Sequence, residues 1–273
     1  MRIRVFTIIA AGLLLLSTST VKADITEGLV AWYPLNGNAS DASGNGKNGA
    51  IHGATTVADR FGNAGSALSF DGLNDYAGLP NNNPIWLPQD DFTVSAWVRF
   101  DRDPLTNPVE FVLQFDFNYY TNQDLCIGYG IYRNPDDGRV NFQMETATAT
   151  NSLLSQDPME KNSWYHIVGV RSGTTQEMYI DGQLDATGIC SAEPIKFFSP
   201  VNDFRVNIGV ASDGGWTTGT YYLDGMVDDV RIYNRALSSA EVQMLYNIPE
   251  PATLILLGLG AVVLRKRAGF PRF

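Results

Sequence analysis

The acidic side chain best placed to hold a metal ion in this sequence is Asp228, which belongs to an alternating apolar segment near the C-terminus. Alternate residues of a strand face the same side, so Asp228 is predicted to share a face with Val230 and Ile232, and Asp229 to face the other side with Arg231. A carboxylate turned toward an apolar layer needs a partner, and a calcium ion would supply one. Calcium takes about 6–8 oxygen ligands. The other candidate ligands, all in predicted loops, are Asp41, Asn45 and Asp71. The alternative is that these side chains only cap turns.

A glycine-rich segment, residues 212–219, combines a tryptophan with acidic and hydroxyl side chains. Trp216 could stack on the apolar face of a sugar ring while Asp213 forms hydrogen bonds with its hydroxyls. Further aromatic candidates are Tyr119, Tyr120 and Tyr132. The segment is therefore a candidate ligand-binding loop, and the alternative is that Trp216 folds back onto the protein.

The composition excludes several other kinds of site. The chain has two histidines and two cysteines, too few for multi-histidine metal catalysis or a four-cysteine zinc site. Its formal net charge is −10, whereas nucleic-acid binding needs clustered Lys and Arg to meet phosphates. His166 shares a predicted strand face with Val168 and Val170, so we interpret it as a structural histidine in the core.

The cysteines Cys126 and Cys190 both lie in the part of the chain that is predicted to be exported, where disulfides persist. We therefore predict that they form a disulfide. Two buried free thiols are the alternative, because sequence alone gives no distance between them.

Period-two alternation dominates the sequence from about residue 27 to residue 247 and predicts one all-β domain. The segment Phe92–Phe100 alternates strictly, and Gly, Asn and Asp turns separate many similar segments. One helix is predicted near the end, because Ser238 and Glu241 have the spacing of a capping box with Leu237 and Val242 as its apolar staple. The helix should pack on the sheets and end before Pro249.

Both ends of the chain have the pattern of targeting signals. Residues 1–23 combine a basic start, a 12-residue apolar stretch and a cleavage-like pattern, which predicts a signal peptide and a domain over residues 24–247. An N-terminal membrane anchor is the alternative. Residues 248–273 contain a Pro-Glu-Pro motif, the uncharged segment 252–264 and a basic cluster. The residues of this motif are Pro249, Glu250, Pro251, Arg265, Lys266 and Arg267. The uncharged segment predicts a transient membrane association, with a permanent C-terminal anchor as the alternative.

Several segments resemble one known family. Residues 28–46, 65–76 and 225–238 are similar to the opening, middle and closing motifs of LamG-like domains. This resemblance implies a concanavalin A-like jelly-roll β-sandwich of two antiparallel sheets, with one short C-terminal helix. Related glucanases carry a calcium-ligating aspartate at the place of Asp228. The C-terminal pattern resembles the PEP-CTERM sorting signal of bacteria, which implies processing by an exosortase-type enzyme and delivery to the cell surface or extracellular matrix.

The resemblance does not decide between binding and catalysis, because this fold supports both. Glucanases of this fold carry the motif Glu-x-Asp-x-x-Glu on one strand, and neither Glu110 nor Glu145 lies in such a motif; Asp116 and Asp124 could pair, but no spacing selects them. We therefore expect an exported binding or adhesion protein that recognises carbohydrate or another extracellular polymer, and not an enzyme. The alternatives are a glycoside hydrolase or polysaccharide lyase of the same fold, or a structural matrix protein without a ligand.

Overall fold

The computed structural model describes residues 24–80, 87–103, 109–115, 128–146, 148–195, 206–211 and 221–248. The predicted signal peptide and the sorting segment from residue 249 onward lie outside these ranges. Within them, the chain forms 17 strands and one helix.

The first nine strands are β1 (Leu29–Tyr33), β2 (Ala50–His52), β3 (Thr55–Val57), β4 (Ala67–Asp71), β5 (Tyr76–Gly78), β6 (Phe92–Phe100), β7 (Glu110–Phe115), β8 (Gly128–Arg133) and β9 (Arg139–Glu145). The remaining elements are β10 (Thr150–Pro158), β11 (Trp164–Ser172), β12 (Thr175–Ile180), β13 (Gln183–Ile189), β14 (Val206–Ile208), β15 (Val210–Ala211), β16 (Tyr221–Tyr222), β17 (Asp224–Tyr233) and α1 (Ser239–Tyr246).

The described strands form two antiparallel sheets and a short ribbon. The eight-stranded sheet has the order β13-β12-β11-β6-β17-β4-β3, with β1 also paired to β17. The seven-stranded sheet has the order β10-β9-β8-β7-β14-β5-β2, and β15 pairs with β16. This is the predicted all-β sandwich of two antiparallel sheets with one short helix.

The main core lies between the inner faces of the two sheets. Val94, Ala96 and Val98 of β6 are fully buried in it, as the alternation of Phe92–Phe100 predicts. On the seven-stranded sheet, Phe142 and Met144 of β9 point into the same core. The two sheets therefore bury the apolar half of each alternating strand against one another.

The outer face of the eight-stranded sheet is also buried, because helix α1 lies on it. Val168 and Val170 of β11 form a second apolar cluster with Leu237, Val242 and Leu245. His166 pairs with Trp97 in the β11–β6 ladder and so belongs to this outer layer. The histidine is buried, as predicted, but in the layer beneath the helix and not in the main core.

Strand β17 contains a β-bulge that the alternation did not predict. Asp229 has a left-handed backbone, with φ of 51°, and the pairing of β17 with β6 shifts register between Asp228 and Arg231. Such a bulge puts two residues opposite one and re-aims the side chains beyond it. Asp228 therefore pairs with Trp97 and lies on the outer face, whereas Val230 lies in the main core. The prediction that they share a face was wrong.

Helix α1 begins with the predicted capping box. The Ser238 side chain accepts from the Glu241 backbone, and the Glu241 carboxylate accepts from Ser238 N at 2.8 Å. The same carboxylate pairs with Arg235 at 2.7 Å, and Arg235 also donates to the carbonyls of Asp24 and Glu27. Arg235 therefore links the first described residues of the chain to the start of helix α1.

Replacing Glu241 with Gln should destabilise the protein by about 1 kcal/mol at neutral pH, since the cap is weakened and the arginine loses its charge partner. The hydrogen bond from Arg235, opposed by burial and reinforced by bonds from Ser238, lowers the pKa of Glu241 from 4.5 to about 2. Its contribution is therefore fully present above pH 4.5 and is lost as the pH falls toward 2. Urea unfolding would measure the free energy of unfolding of both proteins from pH 7 to pH 2. The difference between the variant and the wild type should become smaller as the pH falls.

The matched control is Gln243→Ala, at an exposed position of the same helix. It should change stability little at any pH. A loss of stability in Glu241→Gln that is equally large at pH 7 and pH 2 would contradict the role given to the carboxylate.

Candidate functional site

Asp228, the predicted calcium ligand, is completely buried and has a protein partner. Its Oδ2 accepts from Arg60, in the segment between β3 and β4, at 2.5 Å. The guanidinium of Arg60 lies 4.3 Å from the ring centroid of Trp97. A buried carboxylate needs a positive partner, and in this structure Arg60 is that partner.

A second buried ion pair lies beside the first. Asp229 accepts from the Trp32 indole at 2.5 Å and pairs with Arg231 at 2.9 Å. Burial, reinforced by the charges of Arg231 and Arg60, lowers the pKa of His166 to about 3. His166 is therefore neutral near pH 7 and has a structural environment, with its Nε2 at 3.5 Å from Ser95 Oγ.

The side chains of the other three predicted calcium ligands all form hydrogen bonds with backbone groups. The Asp41 carboxylate accepts from the backbone of Trp32, Ser43 and Lys47 at 2.8–3.1 Å. Burial acts to raise its pKa, but these hydrogen bonds outweigh burial and lower it. Asn45 donates to the carbonyl of Leu29 at 2.9 Å.

Asp71, at the end of β4, accepts from the backbone of Leu73 and Asn74. Asp41 and Asp71 thus cap turns, which was the alternative interpretation, whereas the Asn45 side chain donates to carbonyls of strand β1. In the part of the chain that the structure describes, no group of three or more His, Cys, Asp or Glu residues could hold a metal ion. The calcium site stays a prediction.

The predicted ligand loop with Asp213 and Trp216 lies outside the described residues, but its two flanking strands are described. Val210–Ala211 pairs with Tyr221–Tyr222, so the chain leaves and returns at the same place. The Tyr221 ring lies 6.3 Å from the Phe111 ring, which lies 4.8 Å from the ring of Tyr132. Both ends of the loop are therefore anchored close to aromatic residues of the seven-stranded sheet.

The outer face of the seven-stranded sheet carries a group of polar side chains that the sequence reasoning did not select. On β9, its members alternate with the core residues Phe142 and Met144. The register places Gly130 of β8, Gln143 of β9 and Ser152 of β10 side by side. We call this group the polar patch. Its members are Tyr132, Asn141, Gln143, Glu145, Thr150 and Ser152. The polar half of the alternation in residues 141–145 was the signal that could have revealed it.

A continuous chain of hydrogen bonds connects the polar patch. Ser152 Oγ donates to Asn141 Oδ1 at 2.9 Å and accepts from Asn141 Nδ2 at 2.6 Å, and Asn141 Nδ2 also donates to Tyr132 Oη at 2.7 Å. Tyr132 Oη donates to Gln143 Oε1 at 2.6 Å, and Gln143 Nε2 donates to Glu145 Oε1 at 2.8 Å. The chain thus runs across three strands, so the patch is a preorganised array of hydroxyl and amide groups.

Thr150 completes the patch by donating to Glu145 Oε2 at 2.7 Å. Thr150 and Ser152 are exposed, and Tyr132 and Gln143 are half-buried, whereas Asn141 and Glu145 are buried. Burial raises the pKa of Glu145, although the hydrogen bonds from Thr150 and Gln143 oppose the effect. The exposed groups can contact a ligand, and the buried ones hold them in place.

Glu110 and Glu145, the carboxylates considered for catalysis, accept hydrogen bonds from arginine, amide and hydroxyl side chains. Glu110 forms a buried ion pair with Arg133 and accepts from Asp224 N at 3.1 Å. Glu145 accepts only from the amide and hydroxyl of the polar patch. Asp116 and Asp124 lie outside the described residues.

The predicted disulfide has one cysteine within the described residues. Cys190 is a buried free thiol whose Sγ lies 3.7 Å from the carbonyl oxygen of Gly173. Cys126 lies outside the described ranges, and no disulfide is present within them.

Comparison with known families decides the identity of the fold. A family model described as the concanavalin A-like lectin/glucanases superfamily matches residues 70–243. The chain belongs to this superfamily. A second model, the PEP-CTERM protein-sorting motif, matches residues 247–268, as the C-terminal pattern predicted. This signal indicates export and sorting to the cell surface.

Known proteins similar to this superfamily member include binding domains and a receptor. The chain is 25% identical over 197 residues to adhesion G-protein coupled receptor V1 of Danio rerio, covering 69% of this chain and only 3% of the receptor's length. Domain 4 of a GH43 extracellular arabinanase from Geobacillus stearothermophilus, solved with arabinotriose, is similar with a TM-score of 0.60 and 19% identity. That match covers 80% of this chain and 98% of the other.

The binding domain of Paraclostridial Mosquitocidal Protein 1 is similar with a TM-score of 0.62 and 19% identity, over 82% of this chain and 53% of the other. At these identities, the solved structures establish the fold alone. Within the described residues, no helix has the length and apolar character needed to cross a membrane. The segment 252–264, for which a transient membrane association was predicted, lies outside them.

Removing either partner of the Arg60–Asp228 pair should cost about 3–5 kcal/mol, because the remaining charge is left buried. We expect Asp228→Asn and Arg60→Met to unfold at lower urea concentrations, and the double variant to be more stable than the sum of the two losses predicts. These losses should be the same with and without EDTA, since the partner is an arginine.

The control is Arg139→Met, which breaks the partly exposed pair with Asp137 and should cost less than about 1 kcal/mol. A stability loss in Asp228→Asn that disappears when EDTA is added to both proteins would instead assign the partner role to a metal ion.

Proposed function

We propose that this exported domain binds carbohydrate through the polar patch. The observation that carries the proposal is the hydrogen-bonded array of amide, hydroxyl and carboxylate groups on the outer face of the seven-stranded sheet. Sugars offer many hydroxyls and an apolar ring face, and sites that bind them combine fixed polar groups with aromatic rings. Tyr132 and Tyr221 provide partly exposed rings on this side.

The location of the patch agrees with the predicted ligand loop. The loop that contains Trp216 starts and ends next to Phe111, which contacts Tyr132 of the patch. The similar arabinanase domain was solved with a bound sugar, arabinotriose, which supports carbohydrate as the ligand class.

Hydrolysis is the alternative that the fold allows, and the described residues favour binding over it. Glycoside hydrolysis uses two carboxyl groups about 5–9.5 Å apart. Within its described members, the polar patch contains one carboxylate, Glu145, and its oxygens accept hydrogen bonds from Gln143 and Thr150. A carboxylate held in this way is suited to positioning other groups.

Gln143→Ala should weaken carbohydrate binding roughly tenfold, because it removes a half-exposed amide from the middle of the array. The full-length protein would be tested by affinity electrophoresis against a panel of neutral and acidic polysaccharides, with release of reducing sugar measured in the same samples. The control is Gln183→Ala, an exposed amide on β13 of the opposite sheet, which should bind as the wild type does.

Binding that is equal in the two variants would contradict the location of the site. Absence of binding to every polysaccharide would favour a structural matrix protein, and release of reducing sugar would favour the hydrolase.

For localisation, we propose that residues 252–264 hold the chain in the membrane until an exosortase-type enzyme processes it at the sorting motif. Helix α1 ends at Tyr246, and Ile248 still packs against its apolar cluster. Truncation after Ile248 should therefore leave the domain folded and release it into the medium.

Cell fractionation followed by immunoblotting would measure the fraction released, with the full-length chain as the control. Equal membrane retention of the truncated and full-length proteins would show that another part of the chain holds it there.

A further inference from the structure

Glu145 determines the direction of the hydrogen bonds that run from Thr150 and from Asn141 through Tyr132 and Gln143 to its carboxylate. An ionised carboxylate can only accept hydrogen bonds, and both oxygens of Glu145 do so, from Gln143 and Thr150. Gln143 must therefore turn its NH₂ group toward Glu145, which leaves its carbonyl oxygen facing Tyr132. Tyr132 donates its single proton to that oxygen at 2.6 Å.

The direction continues to the other end of the patch. Since the proton of Tyr132 points to Gln143, the Tyr132 oxygen accepts from Asn141 Nδ2 at 2.7 Å. Asn141 then contacts Ser152 through both of its amide atoms: the Ser152 hydroxyl donates to Oδ1 at 2.9 Å, and Nδ2 donates to Ser152 Oγ at 2.6 Å. One buried charge thus fixes the orientation of two amides and of the Tyr132 and Thr150 hydroxyls over three strands.

This direction determines what a ligand meets at the surface. Thr150 is exposed and uses its proton on Glu145, whereas the exposed Ser152 hydroxyl both donates to and accepts from the Asn141 amide. The outward-facing lone pairs of the Thr150 oxygen are therefore hydrogen-bond acceptors. A ligand that brings hydroxyl donors matches them, whereas a sulfate or carboxylate group, which only accepts, meets like-signed partners next to an anionic carboxylate.

We propose that Glu145 is a positioning residue that makes the polar patch select neutral, hydroxyl-donating glycans over sulfated or uronate-containing ones. This inference rests on the proposed carbohydrate binding and names its ligand class. Protonation of Glu145 would turn one of its oxygens into a donor, so that the amide of Gln143 loses its fixed orientation and the acceptor character of the surface is lost.

Few other ionisable groups are tied to this network among the described residues. Tyr132 from β8 belongs to it, and Glu193 reaches its edge by accepting from Thr148 at 2.9 Å. Burial raises the pKa of Glu145, so its protonation begins at a higher pH than that of an exposed glutamate. Selectivity should therefore decrease on mild acidification.

The test is the variant Glu145→Gln in the full-length protein, because Gln keeps the shape but can both donate and accept. Binding would be measured against dextran, arabinan, xylan and β-glucan, each compared with its chemically sulfated derivative. The wild type should prefer the neutral form, and Glu145→Gln should reduce that preference roughly tenfold, as expected for the reversal of one buried hydrogen bond.

A pH series separates positioning from mere stability. The preference of the wild type should fall on acidification, together with a shift of the Gln143 side-chain amide signals in NMR spectra, and the variant should show neither change. The control is Glu177→Gln, which alters a carboxylate that accepts from Tyr179 on the opposite sheet and should leave the preference unchanged.

The failures of this proposal and of the proposed function are distinguishable. If Gln143→Ala weakens binding but Glu145→Gln keeps the wild-type preference and its pH dependence, the patch binds carbohydrate and the role of Glu145 is wrong. A wild-type preference for the sulfated forms also overturns the proposal. If no polysaccharide binds to the wild type, the proposed function and this inference are both overturned.

Discussion

The bulge at Asp229 is the constraint on which the eight-stranded sheet depends. Strand β17 pairs with β6 on one side, while its other side is shared by two strands: β4 pairs with its first half and β1 with its second half. The bulge lies where the partner changes, and the left-handed backbone of Asp229 absorbs the extra residue. Because of this change, two adjacent aspartates come to lie in the outer layer, where two arginines pair with them.

Placing ion pairs beneath a helix has a cost that other contacts must offset. Each buried charge loses hydration, so the pairs gain stability only when their geometry and additional hydrogen bonds are good. Arg60 stacks on Trp97, and Asp229 also accepts from the indole of Trp32. The apolar cluster under α1 adds hydrophobic burial at the same layer. This part of the outer face is thereby covered, whereas the outer face of the other sheet carries the polar patch.

The sequence was sufficient to predict the features that depend on local patterns. The alternation of Phe92–Phe100 gave a core strand, and the spacing of Ser238 and Glu241 gave the capping box, because both follow directly from the geometry of strands and helix ends. The facing of Asp228 was wrong because alternation holds only while the register is unbroken, and a single bulged residue reverses every side chain beyond it. No local signal marks that residue, since the bulge lies where the neighbour of β17 changes from β4 to β1.

The candidate site was missed for a related reason. Tryptophan-containing loops and paired carboxylates can be recognised in a sequence, whereas the polar patch consists of common side chains that strand pairing brings together. Asn141 and Gln143 alternate with core residues, which in sequence indicates nothing more than a strand with one solvated face. The register converts that pattern into a directed array that ends at a buried carboxylate. Burying the Glu145 charge costs desolvation, which the hydrogen bonds from Gln143 and Thr150 offset. This coupling of a buried charge to surface groups is the physical basis of the carbohydrate binding that we propose for this face of the sandwich.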